Sequence, residues 1–133
     1  MEFTSLDDRR RIREGAKVPD PIVPFADTMD RRALSLQQVL EFVREFKRVI
    51  TPRFSVEPKV YLYGSYAKGS ANPDSDIDVA VIVAEGEITN KWEQWADLWA
   101  DIRKVNVLIE PVILEDHEDS MLYREVMRTG IAA

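Results

Sequence analysis

With 133 residues, the chain is long enough for one hydrophobic core and too short for two. It has no cysteine, which excludes disulfides and thiolate metal ligands, and no apolar run approaches the roughly 20 residues of a membrane span. The formal net charge of −6 makes a nucleic acid an unfavourable partner, because a negative protein repels a polyanion. We therefore expect a cytoplasmic protein that does not enter a membrane.

The first thirty residues differ from the rest of the chain. A basic cluster runs from Arg9 to Arg13 with few apolar neighbours, and three prolines then favour an extended connector. The start lacks the apolar segment of a signal peptide. We predict an N-terminal arm or linker over residues 1–30 and one folded domain over residues 31–133.

Two amphipathic helices are predicted from their caps and spacing. Ser35 and Gln38 form a capping-box pattern, and apolar residues at helical spacing then continue until Pro52. A last helix is predicted from Ser120 to Thr129, with a glycine directly after it.

A helix that contains three tryptophans is predicted to begin after Asn90, because Asn90 and Glu93 form a further capping pattern. Tryptophans at helical spacing usually belong to a core, although they could also stack on a nucleobase. The predicted face consists of Trp92, Trp95, Trp99 and Ile102.

A Gly-Ser turn lies in the stretch over residues 61–84, which reads YLYGSYAKGSANPDSDIDVAVIVA. A strand of β-branched and aromatic residues ends at Gly64, where the absence of a Cβ lets a ligand approach the backbone. Ser65 adds a hydroxyl, and one helical turn from Ser65 to Lys68 would direct free N–H groups at an anion. The pattern predicts a phosphate-binding turn.

Two aspartates, Asp76 and Asp78, follow at the head of an apolar strand and share one face of it, because they are two residues apart. Neighbouring carboxylates repel each other and lose hydration against a sheet, which a cation would relieve. Oxygen ligands favour Mg²⁺ or Mn²⁺. An isolated Asp-x-Asp would be a solvated turn, but the Gly-Ser turn upstream favours a metal site.

Together, Gly64-Ser65, a ten-residue spacer and Asp76-Ile77-Asp78-Val79 resemble the signature of the DNA polymerase beta-like nucleotidyltransferase superfamily. With Ser75 before the first aspartate, the short form resembles the minimal nucleotidyltransferases, of which the best known are antitoxins for HEPN-domain toxins. The resemblance implies an α+β fold of the polymerase beta palm type. Its small mixed sheet would carry the carboxylates on one face, with helices packed on the other.

The resemblance also implies a third carboxylate on a neighbouring strand. Glu110 is our candidate, because it lies between apolar residues and should not be buried without a cation. The superfamily's usual residue there is Asp, and Pro111 suggests an edge strand or a bulge. Glu115 is the alternative, although it belongs to an acidic cluster typical of a solvated loop.

The activity implied by the resemblance is transfer of a nucleoside monophosphate, most simply AMP from ATP, to a hydroxyl group. Two Mg²⁺ ions, or Mn²⁺, would be bound by the three carboxylates, of which Glu110 would help to activate the acceptor. Lys68 could meet a phosphate or be merely solvated. The residues expected along the nucleotide are Gly64, Ser65, Lys68 and Ser75.

The acceptor surface is expected to come from another protein. Larger relatives resemble this domain extended by a helical domain, whereas about twenty residues follow Glu110 here. A HEPN-type partner or a second copy of the chain would supply the surface, which favours a toxin-antitoxin arrangement. The alternatives are a non-catalytic module that binds nucleotide or neutralises a toxin by contact, and an aminoglycoside-type transferase that needs a dimer.

Overall fold

The computed structural model describes residues 33–133, so the arm predicted over residues 1–30 lies outside the described residues. Short 3-10 turns, Thr51–Arg53 and Ile102–Lys104, follow the first and third helices. In this part of the chain the elements, in order, are α1 (Leu36–Ile50), β1 (Lys59–Tyr63), α2 (Ser65–Lys68), β2 (Ile77–Val83), α3 (Lys91–Asp101), β3 (Ile109–Glu115), α4 (Met121–Thr129) and β4 (Ile131–Ala132).

The four strands of this region form one mixed sheet in the order β3-β2-β1-β4. β1 is antiparallel to β2 and to β4, whereas β2 and β3 run parallel, with α3 in the connection between them. β3 is an edge strand, as the proline predicts, because Pro111 has no N–H to donate to a further strand. The predicted α+β class with a small mixed sheet is confirmed.

Successive residues of β2 alternate between the two faces of the sheet. On one face, Ile77, Val79 and Val81 pack in the main core with residues of α1 and α3. On the other face, β2 contributes Ala80 and Ile82 to a second, smaller cluster. Asp78 has the parity of this second face.

Helix α4 covers part of the face to which Asp78 belongs. Its Tyr123 and Val126 join Ala80 and Ile82 in the second cluster, because these apolar side chains have no place in the main core. The sequence analysis placed the helices on one face only, so this position of α4 is a difference between the prediction and the structure.

The predicted helix caps are present. The Ser35 hydroxyl accepts from the Gln38 backbone N–H at 3.0 Å, and the Gln38 side chain accepts from the Ser35 N–H at 2.8 Å. At α4, the Ser120 hydroxyl accepts from the Tyr123 N–H at 3.1 Å. These bonds satisfy N–H groups that a helix start leaves without an intrahelical partner.

Helix α3 begins as predicted, but two of its three tryptophans lie outside the core. Leu98 and Asp101 are its buried residues, whereas Trp92 is 78% exposed and Trp95 is 38% exposed. The expectation of a buried tryptophan face was therefore wrong for these two residues, whereas it is confirmed for Trp99, which packs against the main core. Within residues 33–133, no helix is long and apolar enough to cross a membrane.

Candidate active site

Gly64 brings the predicted phosphate turn against an aspartate. It directly follows β1 with φ +78° and ψ −152°, a conformation that side chains with a Cβ rarely adopt. A Cβ at this position would stand 2.2 Å from Oδ2 of Asp78, which is closer than atoms can approach. The glycine is therefore required both by the backbone and by the carboxylate beside it.

The turn after Gly64 is held by its own hydrogen bonds and by one buried ring. The Lys68 N–H donates to the Gly64 carbonyl at 3.0 Å, and the Ser70 N–H donates to the Ser65 carbonyl at 2.9 Å. Tyr66 anchors α2 in the main core. Ser65 is thereby fixed directly after the glycine that contacts Asp78.

Ser75 lies in the tight turn that leads into Asp76. Its hydroxyl accepts from the Asn72 N–H at 2.9 Å, and its own N–H donates to the Asn72 carbonyl at 3.0 Å. The side chain thus shapes the loop that delivers the aspartates to the sheet, and its hydroxyl proton can still be donated. A contact between Ser75 and a nucleotide stays a prediction.

Asp78 is a half-buried carboxylate with a perturbed pKa. Burial, and secondarily the charge of Asp76, raise the pKa of Asp78 to about 6. Both effects disfavour the ionised form, because the charge loses water and meets a like charge. A nearby cation or donor would relieve both.

Glu110 is the strand neighbour of Asp78. The two residues are paired in register between the parallel strands β2 and β3, so their side chains share one face. Glu115, five residues further along β3, has the opposite parity and accepts from the Gly86 N–H at 3.0 Å. The structure therefore places Glu110 beside Asp78 and Glu115 at the turn after β2. The catalytic role of Glu110 stays a prediction.

Tyr63 is a neighbour of the candidate site that the sequence analysis missed. It pairs in register with Asp78 across the antiparallel strands. Burial, and then the charges of Asp78 and Glu110, raise the pKa of Tyr63 to about 12, so its phenol is neutral at physiological pH. The available signal was its position directly before Gly64, which places it opposite the aspartate strand if β1 and β2 pair.

Lys68 has a protein partner. Its ammonium forms an ion pair with Glu125 of α4 at 2.9 Å, and half of its side chain surface is exposed. It is therefore neither simply solvated nor committed to a phosphate.

The carboxylates suit a hard divalent cation by their chemistry. Asp76, Asp78 and Glu110 offer oxygen donors only, which Mg²⁺ prefers, and the pKa of Asp78 is raised by burial and then by the charge of Asp76. In the described part of the chain, no group of three or more His, Cys, Asp or Glu side chains is gathered closely enough to hold a metal ion. Metal binding at these three residues stays a prediction.

Comparison with known proteins agrees with this geometry. The family model described as polymerase beta, nucleotidyltransferase matches residues 33–132. The chain belongs to this family. Its α+β fold is the nucleotidyltransferase fold, and the protein is an enzyme of the nucleotidyltransferase class.

Two relatives from Methanocaldococcus jannaschii are provisionally named protein adenylyltransferases. One is 27% identical over 96 residues, which cover 71% of this chain and 97% of the relative. The other is 24% identical over 98 residues, which cover 67% of this chain and 97% of that protein.

One solved structure gives a similar result for the fold, and two others match with lower TM-scores. A provisionally named nucleotidyltransferase from Sulfolobus solfataricus superimposes with a TM-score of 0.55 at 18% identity, covering 73% of this chain and 80% of that one. A mutant of the toxin-antitoxin MntA-HpeT gives a TM-score of 0.41, and a toxin-antitoxin with AMP-PNP gives 0.42. Each of these two structures is 20% identical to this chain, and each match covers 74% of this chain and 72% of the solved chain.

Proposed function

We propose that this nucleotidyltransferase moves AMP from ATP to a hydroxyl group of a partner protein, with Mg²⁺ bound by Asp76, Asp78 and Glu110. The observation that carries the proposal is the close approach of the Gly64 turn to Asp78, which is itself the strand neighbour of Glu110. The turn proposed to bind phosphate is thus adjacent to acidic oxygen donors, an arrangement that phosphoryl transfer requires.

Each residue has a distinct part in this proposal. Gly64 leaves room for the triphosphate, and Ser65 provides a hydroxyl and a backbone N–H beside it. Asp76 and Asp78 present the carboxylates that hold the cation, which would neutralise charge on the reacting phosphate and on the pyrophosphate that leaves. Glu110, on the adjacent strand, accepts the proton of the acceptor hydroxyl.

A protein acceptor is supported by the relatives. Both M. jannaschii proteins are provisionally named protein adenylyltransferases, and this chain covers almost their whole length. The net charge of −6 also makes a polyanionic acceptor less favourable. We propose a tyrosine, serine or threonine hydroxyl of a HEPN-type toxin as the acceptor.

The metal-site proposal is tested by measuring MgATP binding to Asp76→Asn and Asp78→Asn by calorimetry. We expect both variants to lose metal-dependent nucleotide binding, because a neutral amide cannot replace an anionic ligand. The Asp78 variant should be as stable as the wild type or slightly more stable, since it removes a half-buried charge that Asp76 repels.

The matched control is Asp74→Asn, which removes one carboxylate from the exposed turn just before the site. It should bind MgATP with the affinity of the wild type. Equal affinity in the wild type and in both site variants would remove the metal-site proposal and favour a module that acts by contact alone.

A further inference from the structure

The ion pair between Lys68 and Glu125 connects the phosphate-binding turn to helix α4. Lys68 is the last residue of α2 and lies three positions after Ser65, so it is on the same side of that single helical turn. Glu125 is on α4. The next residue of this helix, Val126, packs on the face of the sheet to which Asp78 belongs. The lysine that lies nearest the turn in sequence is therefore held by a carboxylate from another element.

Glu125 is the more fixed member of the pair. Its side chain is 28% exposed, whereas that of Lys68 is 50% exposed. Its second oxygen accepts from Arg128, one helical turn further along α4. Hydrogen bonding to Lys68, followed by the charges of Lys68 and Arg128, lowers the pKa of Glu125, so this carboxylate is ionised at neutral pH.

The effect of this carboxylate on a triphosphate follows from charge. An ammonium has three N–H donors, so Lys68 can keep one bond to Glu125 and still offer two to a phosphate. The negative charge of Glu125 nevertheless weakens the attraction between Lys68 and an anion. The same bond restricts a side chain that would otherwise be mobile and places its ammonium on the α4 side of the turn.

We propose that Glu125 is a positioning residue of the nucleotide site, which holds the ammonium of Lys68 and thereby lowers the affinity of the enzyme for nucleoside triphosphate. This inference rests on the proposed function, because it takes the Gly64-Ser65 turn to be the phosphate site. Glu125 touches neither the nucleotide nor the reacting atoms in this scheme and acts through Lys68.

The test is a double-mutant cycle with Glu125→Gln, Lys68→Met and the double variant, each assayed for MgATP affinity, KM for ATP and kcat. Glu125→Gln should lower the dissociation constant and KM by about two- to fivefold, as expected for an exposed ion pair, with kcat unchanged. Lys68→Met should raise both. In the double variant the values should equal those of Lys68→Met, because Glu125 acts only through the lysine.

The matched control is Asp119→Asn, which removes a carboxylate that forms an ion pair with Arg124 at 2.6 Å just before α4. It changes the net charge as much as Glu125→Gln does and should leave KM unaltered. An equal fall in KM for this control would mean that overall charge is responsible and would overturn the inference. The inference would also be overturned if Glu125→Gln lowered KM as much in the Lys68→Met background as it does in the wild type.

Failure of this inference differs from failure of the proposed function. If the wild type binds and transfers AMP, Asp78→Asn does not, and Glu125→Gln leaves KM unchanged or raised, only the role of Glu125 is wrong. If no variant, including the wild type, binds MgATP, both proposals are overturned.

Discussion

At the level of single residues, Gly64 determines both the backbone conformation of the turn and the space available to the Asp78 carboxylate. We predict that Gly64→Ala abolishes most activity, because the added Cβ must displace the Asp78 carboxylate. A displacement of about 1 Å at a reacting centre costs on the order of 100-fold in rate. The unfavourable backbone conformation should also lower the free energy of unfolding by roughly 1–3 kcal/mol, as measured by denaturant titration.

The chain offers a matched control in Gly69→Ala. Gly69 has the same positive φ of 78°, but nothing lies within 4 Å of the Cβ position. This variant should lose roughly 1 kcal/mol of stability through backbone strain and keep its kcat. If the two variants lost activity equally, strain in the turn rather than contact with Asp78 would explain the requirement for glycine.

The third carboxylate gives a second prediction for single residues. Glu110→Gln should retain MgATP binding but lower kcat by roughly 100-fold or more, because it removes the proposed base and leaves both aspartates. Glu115→Gln should keep its activity, since Glu115 lies at the turn after β2 and accepts from Gly86. Turnover assays on both variants decide between them, and the reverse pattern would identify Glu115 as the functional residue.

Much of the candidate site could be predicted from the sequence because its parts are local. The Gly-Ser turn and the alternation of Asp76 and Asp78 follow from residues close together in the chain. The pairing of Glu110 with Asp78 rested on the burial argument and on resemblance to the superfamily. The partner of Lys68 could not be predicted, because Glu125 reaches it only through the position of α4 on the Asp78 face.

At the level of elements, the boundaries of α3 were easier to predict than its orientation. The cap at Asn90 fixes the start, and its side chain accepts from the Glu93 N–H at 3.1 Å. The buried side, however, includes Asp101, which is only 1% exposed and which a polarity pattern assigns to solvent. Two bonds from Arg53, at 2.6 and 3.0 Å, make this burial tolerable.

This ion pair leads to a prediction for the packing of α3. Arg53→Met should lower the free energy of unfolding by about 2–3 kcal/mol at neutral pH, because among residues 33–133 it leaves the buried Asp101 carboxylate with Lys104 as its cationic partner. Lys104→Met is the control and should cost less than about 1 kcal/mol, since its side chain is largely exposed. Denaturant titrations of the three proteins measure these differences.

The difference in free energy of unfolding between the wild type and Arg53→Met should depend on pH with a defined sign. Hydrogen bonding by Arg53 lowers the pKa of Asp101 in the folded state. The stability that the ionised Asp101 contributes to the fold is therefore present above the ordinary carboxyl pKa of about 3.9. It is lost as the pH falls through the lowered pKa of Asp101 in the folded state. The difference in free energy of unfolding between the wild type and Arg53→Met should be largest near neutral pH and should become smaller below about pH 4. A difference that grew on acidification would contradict the assignment.

At the level of the whole molecule, the negative charge belongs to the described domain. Residues 1–32 contain equal numbers of basic and acidic residues, so the formal net charge of −6 falls on residues 33–133. A polyanionic acceptor would have to approach this charge without long-range attraction, whereas a nucleoside triphosphate can be neutralised locally by metal ions. Charge thus favours a protein over a nucleic acid as the acceptor.

The last prediction concerns this acceptor. When a HEPN-type partner is produced together with the wild-type chain, mass spectrometry should find AMP on a tyrosine, serine or threonine of the partner. Production with Asp76→Asn should leave the partner unmodified, because the cation that neutralises the triphosphate is not held. Incubation of the purified chain with labelled ATP, the partner and an RNA at low salt provides the comparison. Faster labelling of the RNA than of the protein would contradict a protein acceptor, since low salt gives electrostatic repulsion its largest effect.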